Sequence, residues 1–180
     1  MKKLTILAMF LLMALPLIAQ DNTENCFRHN QRGWQLLVDA GINVDVDPSD
    51  PIDPGNYASD RLSLSGIGGF RFNPRFFAGV GAEFNYYHTP SRTAVPVFGM
   101  IKVNFLKGRV SPYVDCRIGY SLGEIEGFMT EPSVGVRVGI ANGHAINCGL
   151  AFTYIKNESD KTKYADDRLA SIGLRVGYEF

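Results

Sequence analysis

Several features are scarce in this chain of 180 residues, and each scarcity excludes something. Beyond the opening segment, no stretch approaches the ~20 consecutive apolar residues that a membrane helix requires. Cysteine is limited to Cys26, Cys116 and Cys148, with no CxxC pair and no Cys/His zinc spacing. An odd set of this kind is neither a disulfide framework nor a zinc module. Neither charge sign dominates, since 18 Lys and Arg meet 18 Asp and Glu. Without a basic stripe, nucleic acid is a poor partner. Histidine is confined to His29, His88 and His144. No segment shows convincing helical periodicity.

The opening segment reads as a secretory signal over residues 1–20. Lys2 and Lys3 form a positive start, Leu4 to Ile18 is apolar apart from Thr5 and Pro16, and Ala19-Gln20 precedes the polar run Asp21-Asn22-Thr23-Glu24. This layout predicts export through the Sec pathway and cleavage near Ala19 or Gln20. Thr23-Glu24-Asn25 ahead of Cys26 lacks the apolar lipobox of a lipoprotein. Residues 21–33 are expected to form a short periplasmic segment, and residues 34–180 a single domain.

That domain alternates with period two. In residues 34–47, Trp34, Leu36, Val38, Ala40, Ile42, Val44 and Val46 share one face. Gln35, Asp39, Gly41, Asn43, Asp45 and Asp47 share the other, with Leu37 as the exception. Successive side chains of a strand point to opposite sides, so such alternation predicts a strand with one apolar and one polar face. Seven further segments repeat it, at about 61–72, 75–88, 94–105, 109–122, 128–140, 146–154 and 170–180. The fourth has an unusually apolar second face, with Pro96, Phe98 and Met100. Connections at Asn73-Pro74, Lys107-Gly108 and Ala141-Asn142-Gly143 are short turns. Those at Pro48–Asp60, Thr89–Arg92, Gly123–Gly127 and Asn157–Asp167 tend to be longer and more polar. The expected fold is all-β: an eight-stranded antiparallel up-and-down transmembrane β-barrel, with turns on one side and loops on the other.

Alternation alone does not say which face points outward, because a lipocalin-like soluble barrel turns its apolar face inward. The aromatics favour lipid. Running the strands up and down places Trp34, Phe70, Phe72, Phe76, Phe105, Tyr178 and Phe180 at one rim of the apolar face. Phe84, Tyr86, Tyr120, Phe128, Phe152 and Tyr154 fall at the other, with mainly aliphatic residues and glycine between. Amphipathic rings favour the two membrane interfaces, whereas a ligand cavity gives no reason to sort them. The opposite face carries Asp39, Asp45, Arg71, Arg75, Glu83, Asp115, Arg117, Glu131, Arg137, Arg175 and Glu179. Inside a narrow barrel these must pair, since an unpaired buried charge is costly. A plugged, charge-networked interior is the expectation.

The terminal Tyr178-Glu179-Phe180, together with the eight-strand alternation, resembles the small outer-membrane β-barrel family, similar in layout to OmpX and the OmpA membrane domain. The resemblance covers residues 34–180 and rests on pattern more than on a specific motif. It implies a Gram-negative host, outer-membrane lipid as surroundings, and insertion by the barrel-assembly machinery, with Tyr178 and Phe180 as the assembly signal. It transfers no activity, because fold does not fix function.

Chemistry is sparse. Lipid A deacylases of this size place His and Ser two apart on a strand face beside a Glu. Here His88 is followed by Thr89-Pro90-Ser91, and His144 follows a turn glycine. Asp47, Asp50, Asp53 and Asp60 in the first long loop lack the EF-hand spacing, so a solvated loop is a plainer reading than calcium. Cys116 and Cys148 fall on the lipid face with a strand between them, too far apart for a disulfide. No catalytic, cofactor or metal site is expected. The expected role is surface interaction or envelope integrity through the loops. A lipid-modifying enzyme, a narrow channel and a soluble ligand-binding barrel remain alternatives.

Overall fold

The computed structural model describes residues 32–45, 61–88, 91–140, 144–157 and 168–180. The expected signal segment, most of residues 21–33 and the aspartates of the first long loop lie outside these. Eight strands appear in chain order: β1 (Gly33–Asp45), β2 (Arg61–Arg71), β3 (Phe76–Tyr87), β4 (Arg92–Asn104), β5 (Val110–Gly123), β6 (Gly127–Gly139), β7 (Ala145–Asn157) and β8 (Arg168–Glu179). Each pairs antiparallel with its sequence neighbours, and β1 closes on β8.

The register fixes the size of the barrel. Cross-strand partners lead from Gly33 through Arg71, Phe77, Lys102, Asp115, Ser133, Ala151 and Gly173 back to β1 at Asn43. The circuit therefore returns ten residues along its own strand. For eight strands that stagger gives a tilt of about 40° and a backbone radius of roughly 8 Å. Such a lumen is filled by side chains.

Local chemistry sets the turns. In the β2–β3 turn, the Asn73 side-chain oxygen accepts hydrogen bonds from the backbone N–H groups of Arg75 and Phe76, both at 2.8 Å. Pro74 fixes its own φ within that turn. The β4–β5 turn is closed by Leu106 N–H donating to Ser111 Oγ at 3.0 Å. Gly123 ends β5 with φ at 114°, a left-handed value that a side chain disfavours.

The contrast between turns and loops is narrower than the sequence suggests. Between β3 and β4 only residues 88–91 intervene, and between β5 and β6 only residues 124–126, as few as in the turns of the opposite end. Only residues 46–60 and 158–167 form long connections, and both join strands at the same end. The β5–β6 connection is short because it is tied to β4. Glu124 accepts a hydrogen bond from Thr93 N–H at 2.7 Å, and Ile125 folds inward as a buried residue.

Candidate functional site

The outward face is apolar along every strand. Trp34 is 80% exposed and Val80 is 71% exposed, and Leu36, Ile42, Leu64, Val97, Ile101, Ile118, Val134, Leu150 and Leu174 continue the belt around the circumference. These side chains cannot form a water-excluding core, because the sheet has closed with them outside. Cys116 and Cys148 are free thiols on this face, on β5 and β7.

The aromatic residues lie at the two ends of that belt, each end an arc more than a ring. At the short-turn end, Trp34 meets Phe70 edge to face at 5.7 Å, Phe70 meets Phe72 at 5.2 Å, and Phe72 meets Phe76 at 5.7 Å. Phe105 follows on the chain after β4. On the other side of β1, at the end of the adjoining β8, Tyr178 and Phe180 pack at 4.7 Å, with the His144 ring stacked on Tyr178 at 5.7 Å. His144 is an arc member that the alternation of strands does not reveal, because it precedes β7. At the other end, Phe84 and Tyr86 on β3, Tyr120 on β5, Phe128 on β6, and Phe152 and Tyr154 on β7 form the second arc. Tyr120 and Phe128 are direct cross-strand partners there.

The inward face holds two charge clusters. Toward the long-loop end, Arg117 is fully buried and bonds Asp39, Glu83 at 3.0 Å and Ser65 at 3.3 Å. Its guanidinium lies over the Phe98 ring at 5.0 Å. Glu131 accepts hydrogen bonds from Arg175 at 2.7 Å, Thr153 at 2.7 Å and Arg61 at 3.2 Å. Arg175 also donates to both oxygens of Asp115 at 2.8 Å and to Ser133 at 2.6 Å.

The second cluster surrounds Glu179 near the short turns. Arg137 donates to it at 2.9 Å, Arg71 forms a further ion pair, and Lys102 stands 3.8 Å away. Three cations thus share one carboxylate. Neutral groups take part of the load. Gln35 accepts from Arg71 at 2.5 Å, Asn147 accepts from Lys102 at 2.6 Å, and the Tyr113 ring lies 4.3 Å from Lys102 Nζ.

The structure therefore brings Asp39, Arg71, Glu83, Asp115, Arg117, Glu131, Arg137, Arg175 and Glu179 into the lumen. Arg75 is a correction. It stands exposed in the β2–β3 turn, one residue before β3 begins at Phe76, so the inward phase of β3 does not extend to its side chain. Arg61 and Lys102 also belong to the clusters, beyond the expected network. The period-two phase of β2 and β4 is consistent with both facing inward, but only cross-barrel distances join them to Glu131 and Glu179. The lumen is also less polar than expected. Leu37, Ile67, Phe77, Phe98, Met100, Met129 and Ile155 are buried there.

The histidines do not assemble a catalytic set among the described residues. His88 is exposed beyond β3, and Ser91 Oγ lies 2.9 Å from the Tyr86 hydroxyl.

No family model matches the sequence, and no curated protein is significantly similar to it. Solved structures do match. Neisserial surface protein A superposes with a TM-score of 0.63 at 15% identity, covering 84% of this chain and 98% of that one. The N-terminal β-barrel domain of Pseudomonas aeruginosa OprF gives 0.47 at 12% identity, over 83% of this chain and 100% of that one. The outer-membrane enzyme PagL gives 0.44 at 12% identity, over 79% and 97%. Identity this low speaks to fold alone. The chain has the fold of the small eight-stranded outer-membrane β-barrels.

Proposed function

We propose that this protein is a non-enzymatic integral component of a Gram-negative outer membrane, whose barrel carries its long connections for surface interaction or envelope integrity. The observation that carries the reading is the outward apolar belt flanked by aromatic arcs. A soluble monomer rarely exposes a contiguous apolar patch beyond a few hundred Å², whereas a bilayer requires such a belt on every strand. Strand closure supports the same surroundings, because all backbone polar groups of a closed ladder are satisfied without water.

The interior supports a rigid carrier. Arg117, Arg175 and Arg61 reach across the lumen to carboxylates on other strands, which fills the path a channel would need. The long connections 46–60 and 158–167 join the same end of the barrel and are the natural variable surface. Tyr178 and Phe180, adjacent on the outer face of β8, are the proposed signal for the barrel-assembly machinery.

An epitope inserted within residues 46–60 tests the placement. Antibody binding on intact cells supports a surface loop. Binding only after the envelope is permeabilised, or equal binding to an epitope placed in the β4–β5 turn, contradicts it.

A further inference from the structure

The two ends of the barrel differ in charge. On the short-turn end, Arg75, Lys107 and Arg109 are all exposed. Among the described residues the acidic side chain at this end is Glu179, which is buried and already shared by Arg71, Lys102 and Arg137. At the opposite end Glu124 and Glu126 are exposed with Lys156, and the sequence of the two long connections is net acidic. Residues 45–60 contain five aspartates (Asp45, Asp47, Asp50, Asp53, Asp60) with no Lys or Arg, and residues 158–167 contain Glu158, Asp160, Asp166 and Asp167 against Lys161 and Lys163.

The basic residues form one continuous arc. Asn104 N–H donates to the carbonyl of Arg75 at 2.7 Å, and its side-chain amide donates to Pro74 O at 3.3 Å, which ties the β2–β3 turn to the end of β4. Gly139 N–H donates to Arg109 O at 2.6 Å, and Arg109 Nε donates to Gly139 O at 3.3 Å, which ties the β4–β5 turn to the end of β6. The arc thus runs from β2 to β6 on backbone that is held in place. Exposed apolar side chains stand beside its charges: Phe72, Phe105 and Leu106 are 51%, 53% and 41% exposed.

We propose that Arg75, Lys107 and Arg109 form a headgroup-binding arc that holds anionic phospholipid at the short-turn end of the barrel. The inference rests on the membrane reading above and adds a lipid class to it. Long basic side chains rooted among apolar ones at a bilayer edge extend their heads to the phosphate layer. A soluble acidic partner would match the charge but would leave Phe72, Phe105 and Leu106 without a counterpart. A phosphodiester headgroup matches the charge, and its acyl chains match the apolar residues.

The test uses the full mature chain in phosphatidylcholine bilayers doped with chain-spin-labelled phosphatidylglycerol or phosphatidylcholine. Insertion is checked first by protease protection and by a heat-dependent gel shift. A protein that does not insert contradicts the membrane reading itself. For inserted protein, the expected result is an enrichment of phosphatidylglycerol at the protein boundary of about fivefold, the factor that one basic side chain near an anionic surface contributes. That enrichment should fall to parity in the triple variant Arg75→Gln, Lys107→Gln, Arg109→Gln. It should also fall at about 0.5 M salt, where the Debye length is roughly 4 Å. Parity in the inserted wild type, or enrichment unchanged in an inserted variant, overturns the proposal. If the variant does not insert, the salt series on the wild type decides, and a salt-independent preference overturns it. Binding of soluble polyglutamate without lipid preference assigns the arc to an acidic polypeptide and overturns it too.

Discussion

Arg117 and Glu131 are direct cross-strand partners on β5 and β6, yet their charged atoms stand 3.6 Å apart while Glu131 makes its shorter bonds to Arg175 and Arg61. Register brought the first pair together. Closure of the barrel brought the other two, from β8 and β2. Glu131 is thus a hub whose partners come from opposite sides of the lumen, and the upper cluster holds together through it.

Removing that hub takes one carboxylate from three buried guanidinium groups, leaving Arg117 with Asp39 and Glu83, Arg175 with Asp115, and Arg61 with only Glu83 at 3.9 Å. Glu131→Gln keeps the shape and deletes the charge. Breaking one partner of a buried ionic network costs about 3–5 kcal/mol. Reversible urea unfolding in lipid vesicles should show a loss of that order. A loss below about 1 kcal/mol would mean that water reaches the cluster.

The lower cluster is one-sided in charge. Three cations surround Glu179, so deleting one of them relieves like-charge repulsion while deleting the carboxylate does not. Lys102→Met should cost less than about 1 kcal/mol, or stabilise, because Glu179 keeps Arg71 and Arg137 and is not left as an unpaired buried charge, the condition that makes breaking a buried pair costly. Glu179→Gln should cost about 3 kcal/mol or more. The same unfolding assay ranks the two variants, and a larger loss for Lys102→Met would contradict the charge count.

Much of this arrangement is legible in the sequence, and the limits are physical. A period of two specifies which side chains share a face, so the set running from Trp34 to Phe180 and the set running from Asp39 to Glu179 follow from alternation, while the sorting of the aromatics into two rims is what points the first set outward. Leu37 breaks the pattern because it packs beside Ile67, its cross-strand partner, in the apolar part of the lumen. Arg75 failed because alternation was extended one residue past the strand into a turn where it has no meaning. The pairing of Glu131 with Arg61 and Arg175 is invisible in one dimension, since it depends on the ten-residue stagger at closure.

Tyr113 lies against two strand glycines inside the barrel. A Cβ on Gly149 would stand 2.6 Å from the Tyr113 hydroxyl and 2.8 Å from the Val134 carbonyl. Gly149→Ala should therefore destabilise by about 1–3 kcal/mol, the usual cost of overpacking. Tyr113→Phe in the same chain should recover part of that loss, and no recovery would place the strain on the backbone alone. A double-mutant cycle in the vesicle assay measures it.

The outer belt makes a prediction that separates lipid from water. Val80 lies midway along β3, between Phe76 and Phe84, and is 71% exposed. On a soluble barrel Val80→Arg would change stability by no more than about 0.5 kcal/mol, as exposed substitutions do. At the midplane of a bilayer it should cost about 2–4 kcal/mol. Folding into vesicles distinguishes the two values.

The most direct test of the central claim is where the mature protein resides and how it behaves on a gel. Cells expressing the chain are fractionated, and the membrane fraction is run in SDS with and without boiling. The account predicts an outer-membrane protein whose unboiled band migrates apart from the boiled one, because a closed ladder resists detergent until heated. A soluble periplasmic protein with a single band under both conditions would contradict it.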